Sequence, residues 1–563
     1  MRASGDLHGM HRVLCIPELL DMIFSFLDPA SNVVNAQTCK RWSDIALDSL
    51  WKEVDDLHQL FGILAPLRVS EELYEFDRLP ESADWKRFEK YANRVRRLVY
   101  EPDGLTPPRK MKQSVFDDVA RTRTRLDILP NMHTLQWRAP LSISIMFMHS
   151  GIKSFTVWLP LQLETISPRP FFQDIAARMP NLASLDVRSY VPLRCIETEM
   201  ANLLMLLSKL QRITLPRYYF TTCIAETLSG LEHLGIIEFQ YVPEQGCGSV
   251  FDVSTFNPSL SEGSFPALWD HSMAVTFDDA SRFFNLSFTP TNITMLYIDS
   301  YEIETPTALH NLLSVIAENC QLLKFLALLS LRDASLTTLA ENPYDTGLMV
   351  TMDHLKPVLK LANLTALEFT QQYPLVLNPA DIELLASSWP AIETLSLNSE
   401  PVHLSQSNLT LDALTPFARH CRKLHHLGLF IDATSIPQPP IASIVPFQSL
   451  KRLSMGVSII EGPDAVALYL SKIVPLNVKL DCGITWEESD EADDGISNTI
   501  FQRCASWERV AELLPVLTEL RKEERERTRV LEKELEDSRM RVKVITDTVA
   551  LGVKLDISTC VMI

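Results

Sequence analysis

One pattern, apolar-x-x-apolar-x-apolar, recurs along most of this chain and constrains its fold more than any other feature. It reads Val95-Leu98-Tyr100, Met132-Leu135-Trp137, Ile152-Phe155-Val157, Leu182-Leu185-Val187, Leu210-Ile213-Leu215 and Leu231-Leu234-Ile236, then Ile293-Leu296-Ile298, Leu323-Leu326-Leu328, Leu364-Leu367-Phe369, Ile392-Leu395-Leu397, Leu424-Leu427-Leu429 and Leu450-Leu453-Met455. A degenerate copy, Leu268-x-x-His271-x-Met273, divides the one long gap. The thirteen units begin between residues 95 and 450 at spacings of 20 to 41, with a mean of about 30. Alternation within each triplet predicts a short strand. Segments between the triplets, such as Phe171 to Met179, Leu312 to Glu318, Ile382 to Ser388 and Leu411 to His420, read as helices. Proline in Met179-Pro180-Asn181-Leu182, Leu129-Pro130-Asn131-Met132 and Trp389-Pro390-Ala391-Ile392 marks the helix-to-strand corner. A strand–helix unit of this length cannot bury its apolar face alone, so the units must stack, and the predicted class is an α/β solenoid.

Composition narrows the function classes. Of 563 residues 46% are hydrophobic and 22% charged, which describes a folded chain. A net charge of -19 repels phosphate backbones, so nucleic acid is not expected as a partner, and only 17 glycines leave little room for phosphate-binding loops. The basic runs Arg94, Arg96, Arg97 and Arg109 to Lys112 read as a solvated rim. Ten cysteines without a C-x-x-C argue for a reducing compartment. Residues 1–10 lack the apolar core of a signal peptide, and even Ala139 to Ile152 and Met200 to Leu207 fall short of a bilayer span. The expectation is a cytoplasmic or nuclear protein.

The N-terminus carries a different pattern. From Ile16 to Leu27 the apolar residues fall at helical spacing, Pro17 and Glu18 suit a helix start, and Pro29 ends the run. A second helix is predicted near Ser31 and a third over Ile45 to Trp51. Ile16-Pro17, Glu18-Leu19-Leu20, Ile23-Phe24, Leu27-Asp28-Pro29, Cys39-Lys40-Arg41-Trp42, Ala46 and Leu50-Trp51 together resemble an F-box. Two departures are Ile16, where the family usually has leucine, and Thr38, where it usually has a small apolar residue. The resemblance implies docking on a Skp-family adaptor, and through it on a cullin, with Ile16, Pro17, Leu19, Leu20, Ile23, Phe24 and Leu27 as the contacts. Trp42 and Trp51 would hold the helices together. Cys320 and Cys421 stand three residues before a repeat leucine, where cysteine-containing leucine-rich repeats keep a buried cysteine. The chain thus resembles the F-box proteins with leucine-rich repeats that are heavily expanded in fungi.

Beyond the repeats, Glu487, Glu488, Asp490, Glu491, Asp493 and Asp494 mark an acidic loop expected to be disordered. Trp507 to Val544 reads as a charged helix in which Lys522 with Glu526 and Glu523 with Arg527 form i,i+4 pairs; a solvated helix and a dimerising coiled coil both fit. Cys560-Val561-Met562-Ile563 has the form recognised by prenyltransferases, against an ordinary free terminus as the alternative. The expected plan is an F-box over 11–56, a linker with cap helices over 57–94, an irregular leucine-rich-repeat horseshoe over 95–480, the acidic loop over 481–500, the charged helix over 501–547 and a tail over 548–563.

No catalytic constellation, metal set or cofactor motif is present in the sequence. His420, Cys421, His425 and His426 flank repeat leucines, and adjacent strand residues face opposite ways, so they are not expected to share a metal. The residues between and after the triplet positions are mostly small or polar, except for Met295, Tyr297 and Asp299 beside Phe325, Ala327 and Leu329. This patch is expected either to anchor a protein target, through Met295, Tyr297, Asp299, Phe325 and Leu329, or to lie under the tail after residue 470 or under a loop such as Glu341 to Met349. The resulting expectation is a non-enzymatic substrate-recognition subunit of a cullin-type ubiquitin ligase, or else an F-box scaffold that delivers no substrate.

Overall fold

The computed structural model describes residues 16–104, 109–164, 166–331, 346–404, 406–438, 445–486 and 494–559. The chain divides into two compact units, Met1–Asp299 with Glu318–Leu322 and Ser300–Ala317 with Leu323–Ile563.

The first unit opens with helices α1 (Pro17–Ser25), α2 (Pro29–Thr38) and α3 (Lys40–Trp51). Behind them a parallel ladder starts at Glu53–Val54, which pairs with Arg97–Tyr100. It continues through Thr134–Trp137, Ser154–Leu159, Ser184–Ser189, Arg212–Thr214, Ile236–Glu238 and Asp270–Met273 to Met295–Ser300. In register, Leu98, Leu135, Phe155, Leu185, Ile213, Ile237, His271 and Leu296 form one buried row. Ile237 rather than Leu234 therefore holds the second position of its repeat, and the triplet expected at Leu231-Leu234-Ile236 is displaced by three residues. His271 keeps its place in the row as a neutral ring: burial pushes its pKa down to about 3, and it packs edge-on against Phe220 at 4.8 Å.

The segment over 57–94 is more than helices. An antiparallel hairpin, Leu67–Ser70 with Leu73–Phe76, lies between the helices Leu57–Phe61 and Ser82–Ala92. Its two-residue turn places Glu71 and Glu72 at φ 56° and 64°. Such turns normally use Asn-Gly, which is why the hairpin left no sequence signal. Phe61 fills the space below it, with ring centroids 6.0 Å from Phe116 and 6.4 Å from both Phe76 and Phe147.

In the second unit the parallel order is Phe325–Ser330, Ala366–Gln371, Thr394–Leu397, His426–Leu429, Arg452–Gly456 and Lys479–Cys482. Corner asparagines stitch repeats in the first unit: Asn131 Nδ2 donates to the Asn93 carbonyl at 2.8 Å and Asn181 Nδ2 to the Ser150 carbonyl at 2.9 Å. Cys320 and Cys421 are buried, the place expected of them, and burial pushes both thiols up to about 12. Cys421 Sγ donates to the Ala386 carbonyl at 3.4 Å.

A helix over Asp494–Thr559 closes the second unit, longer at both ends than the expected 501–547 and running through the expected tail. Glu487 to Asp493 and Cys560 to Ile563 lie outside the described residues. The first part of this helix docks on the last strands. Trp507, Val510 and Leu514 are buried, Trp507 Nε1 donates to the Ser458 carbonyl at 2.9 Å, and Arg521 Nε donates to Ser471 Oγ at 2.6 Å. Ile500 joins Phe430 and Val457 in a cluster that includes Trp486 and Ile459. Pro515 removes one rung of the helical ladder within this docked half, where packing holds the helix regardless. Trp507→Ala should lower the stability of the terminal repeats by about 3–5 kcal/mol. Because repeats couple to their neighbours, hydrogen exchange should speed up in Arg452–Gly456 and Lys479–Cys482 while the first unit's strands keep their wild-type rates.

Candidate functional site

The N-terminal helices bury one side of an apolar stripe and expose the other. Leu20, Phe24 and Ala46 form the core, with Ala36, Trp42 and Ile45 packed around it, and Phe24 meets Trp42 edge-on at 5.6 Å. Asp28 caps α2 by accepting from the Ser31 N–H at 2.9 Å, and Pro29 takes the first helical position, two residues ahead of the expected start. The buried Asn32 Nδ2 donates to the Phe24 carbonyl at 2.9 Å, which ties α2 to the end of α1.

Leu20 and Phe24 are therefore core residues of the module, a correction to their expected place among the adaptor contacts. Leu19 is half-buried, whereas Ile16, Pro17, Ile23 and Leu27 remain exposed. Sequence reasoning missed Phe26, which is 85% exposed, along with the exposed Met22, Val33 and Val34. The signal was the width of the stripe: Ile23, Phe26 and Leu27 add an apolar flank that Leu20 and Phe24 do not need.

The module is mounted firmly. Trp42 holds the helices together, but Trp51 packs on Tyr91 of the helix Ser82–Ala92 at 5.1 Å. Arg94 donates to the Asp44 carbonyl at 2.8 Å and pairs with the Asp44 and Asp48 carboxylates, so it clamps α3 to the ladder instead of forming part of a solvated rim. Leu20→Ala should cost the module about 2–5 kcal/mol. Ile23→Asp with Phe26→Asp, on the solvated flank, should leave its melting unchanged, as read by circular dichroism of the full chain.

The second surface is the face of the first unit's ladder formed by Gln136, Thr156, Asp186, Thr214, Glu238 and Tyr297, the row beside the buried one. Carboxylates accompany its arginines: Arg97 with Glu53, Arg138 with Glu101, Arg188 with Asp186 and Arg212 with Glu238. The Trp158 ring lies between two guanidiniums, 5.6 Å from that of Arg138 and 4.5 Å from that of Arg188. A strap over Phe239–Gly248 crosses the strand ends. Gln245 is fully buried and donates to the Val187 carbonyl at 2.7 Å and to Asp186 at 3.2 Å. Gly246 has φ 78°, and a Cβ there would fall 1.9 Å from the Ser189 carbonyl oxygen, so only glycine fits.

This strap changes the expected target patch. Tyr297 is half-buried, edge-on to Phe239 at 5.4 Å and 5.8 Å from Tyr241, and it is Tyr241, 55% exposed, that reaches solvent. Met295 is half-buried. Asp299 is not a surface charge at all. It is 2% exposed and sits 2.5 Å from the Arg217 guanidinium; against the burial that disfavours its charge, the Asp299 carboxylate keeps Arg217 protonated. Strand alternation placed Asp299 outward, but the strap supplies a roof and Arg217 a partner. In the second unit Phe325 and Leu329 are half-buried and Ala327 is buried. The part of the expected covering loop before Thr346 lies outside the described residues.

At the strand entry of the same ladder, Arg212, His233, Gly235 and the exposed Trp269 line an open cleft of about 510 Å³. Burial, with the neighbouring Glu238 carboxylate, pushes the Asp270 carboxyl up to about 6 against the pull of Arg212. An unfolded aspartate titrates near 3.9. The folded state thus holds the extra proton between those values, and this carboxyl stabilises most below about pH 4 and loses that contribution as pH rises through 6. Urea denaturation across that window should show the loss, and Asp270→Asn should flatten it.

Among the described residues no group of histidine, cysteine and carboxylate side chains could hold a metal, and no helix is long and apolar enough to cross a membrane. His420 instead meets Glu383 at 2.7 Å and His426 meets Ser454 Oγ at 2.8 Å.

The F-box-like family matches residues 17–56, which span α1 to α3 and the first ladder strand. The chain carries an F-box-like domain followed by leucine-rich repeats. No curated protein matches the sequence. Among solved structures, the leucine-rich repeat-containing protein LegL7 from Legionella pneumophila is similar at 14% identity and a TM-score of 0.32, over 65% of this chain and 95% of that one. TLR13, in its complex with ssRNA13, is similar at 14% identity and a TM-score of 0.26, over 64% of this chain and 60% of that one. Likenesses this distant add nothing to the strand register, which alone defines the repeat array. An F-box-like domain joined to such an array supports a role in protein interaction.

Proposed function

We propose that this protein is a substrate-recognition subunit of an SCF-type ubiquitin ligase, in which the F-box-like domain docks a Skp-family adaptor, and through it a cullin, while the repeat wall holds a protein target. The observation that carries the reading is the apolar flank of the module. Ile16, Met22, Ile23, Phe26, Leu27, Val33 and Val34 stay exposed along and beside α1 and on α2, in a module that already possesses a closed core. Apolar side chains left exposed by a closed core mark an interaction site, and apolar helix faces seat in grooves. Ubiquitin transfer itself is left to the enzyme that the cullin would recruit.

Affinity purification of the tagged chain from its native host should recover the adaptor and the cullin. Ile23→Asp with Phe26→Asp should abolish that recovery, a loss of about 2–4 kcal/mol at a buried contact, while circular dichroism stays at wild type. Undiminished adaptor binding by this variant overturns the assignment. The point variant is preferable to removing residues 1–56, because that deletion would also strip Glu53–Val54 from the ladder and the Trp51–Tyr91 contact. Proteins that co-purify with the variant and accumulate in cells expressing it are the delivered targets; bound proteins whose levels do not change would instead favour the scaffold reading.

A further inference from the structure

The C-terminal helix has two halves with opposite surroundings. Up to Arg521 it packs on the last repeats, whereas every side chain from Lys522 to Asp547 is exposed. This free half nonetheless carries Leu531, Leu535, Val542 and Ile545, each more than half exposed. With Thr528 and Ser538 they alternate at spacings of three and four, which makes them consecutive a and d positions of a heptad seam.

The flanking charges select the occupant of that seam. In the same frame, Arg527 and Glu534 take g positions and Glu532 and Arg539 take the following e positions. Two parallel copies in register would set Arg527 against the other copy's Glu532, and Glu534 against its Arg539, opposite charges at both crossings. Among the described residues none of these four has an ion-pair partner in its own chain. The core layers point the same way. In the parallel register Leu531, Leu535, Val542 and Ile545 each face their own kind, and Thr528 and Ser538 meet as polar layers. An antiparallel pairing that keeps the Arg and Glu contacts sets Leu535 opposite Ser538 and Thr528 opposite Ile545. Polar seam positions of this sort fix register at a cost in stability.

We propose that Lys522–Asp547 is a parallel, in-register self-association site whose partner is a second copy of this chain. The inference is independent of what the F-box-like domain or the repeats bind. Light scattering of the purified full chain at about 10–100 μM, a range suited to a short seam, should give twice the 63.8 kDa chain mass. Leu531→Glu with Val542→Glu, both on the solvated half, should return the mass to that of one chain without changing the thermal melt. Glu534→Arg should weaken association at least tenfold by setting an arginine against the other copy's Arg539, and adding Arg539→Glu should restore it. That rescue is specific to the parallel register, because in the antiparallel one the second change breaks a further pair. A wild-type monomer across the range, a dimer that survives Leu531→Glu with Val542→Glu, or a failed rescue each overturns the proposal.

Discussion

A strand–helix repeat of about 30 residues has an apolar interior with two open sides, and everything else in this protein follows from closing them. Within each unit the buried row, from Leu98 through Ile213 to Leu296 or from Leu326 through Leu395 to Leu453, is sealed only by the next row. Burial of a leucine or isoleucine in such a row contributes about 1.5–3 kcal/mol, but the first and last rows have only one neighbour. The chain therefore covers its first strands and its last strands with something other than a repeat. At the start, Phe61 and the Leu67–Ser70 hairpin cover the ladder, and at the end the helix bearing Trp507 does so. The outer half of that helix is surplus to the closure, which is why its apolar side chains stay available.

The same constraint explains the polar face. Where strands run parallel at fixed spacing, side chains in one row sit next to each other in register, and like charges there would repel. The first unit places a carboxylate beside each of Arg97, Arg138, Arg188, Arg212 and Arg217. The pairs of Arg97, Arg138 and Arg212 are solvated and contribute little to stability. In the proposed target-binding role they would act on recognition, since a partner would have to compete with an existing carboxylate for each guanidinium and present its own charge in the matching geometry.

Much of the fold was legible in the sequence because the apolar triplet is a direct imprint of strand burial. What escaped did so for identifiable reasons. Glu53–Val54 joins the ladder where Asp56 takes the third triplet position, and Lys479–Cys482 joins it where Asn477 takes the first, so neither fits the template. The repeat at Ile236–Glu238 offered two leucines and two isoleucines in seven residues, and only the hydrogen-bonded register chooses Ile237. The candidate sites were less legible. Alternation gives the direction of Asp299 but not the strap that roofs it, and helical spacing gives the stripe around Leu20 but not which flank of it the module consumes.

The mounting of the F-box-like domain has a mechanical corollary. Trp51 against Tyr91 and Arg94 against Asp44 and Asp48 fasten α3 to the ladder at its first strands, with no flexible tether between them. The domain is thus a bracket rather than a hanging arm. A protein seated on α1 and another seated on the early strands are held at a set distance and angle, and only one arc of the second is turned toward the first. In the proposed role, selectivity would come from reach as well as from affinity: of two lysines on the same bound partner, the one within that arc would be accessible and the one behind it would not.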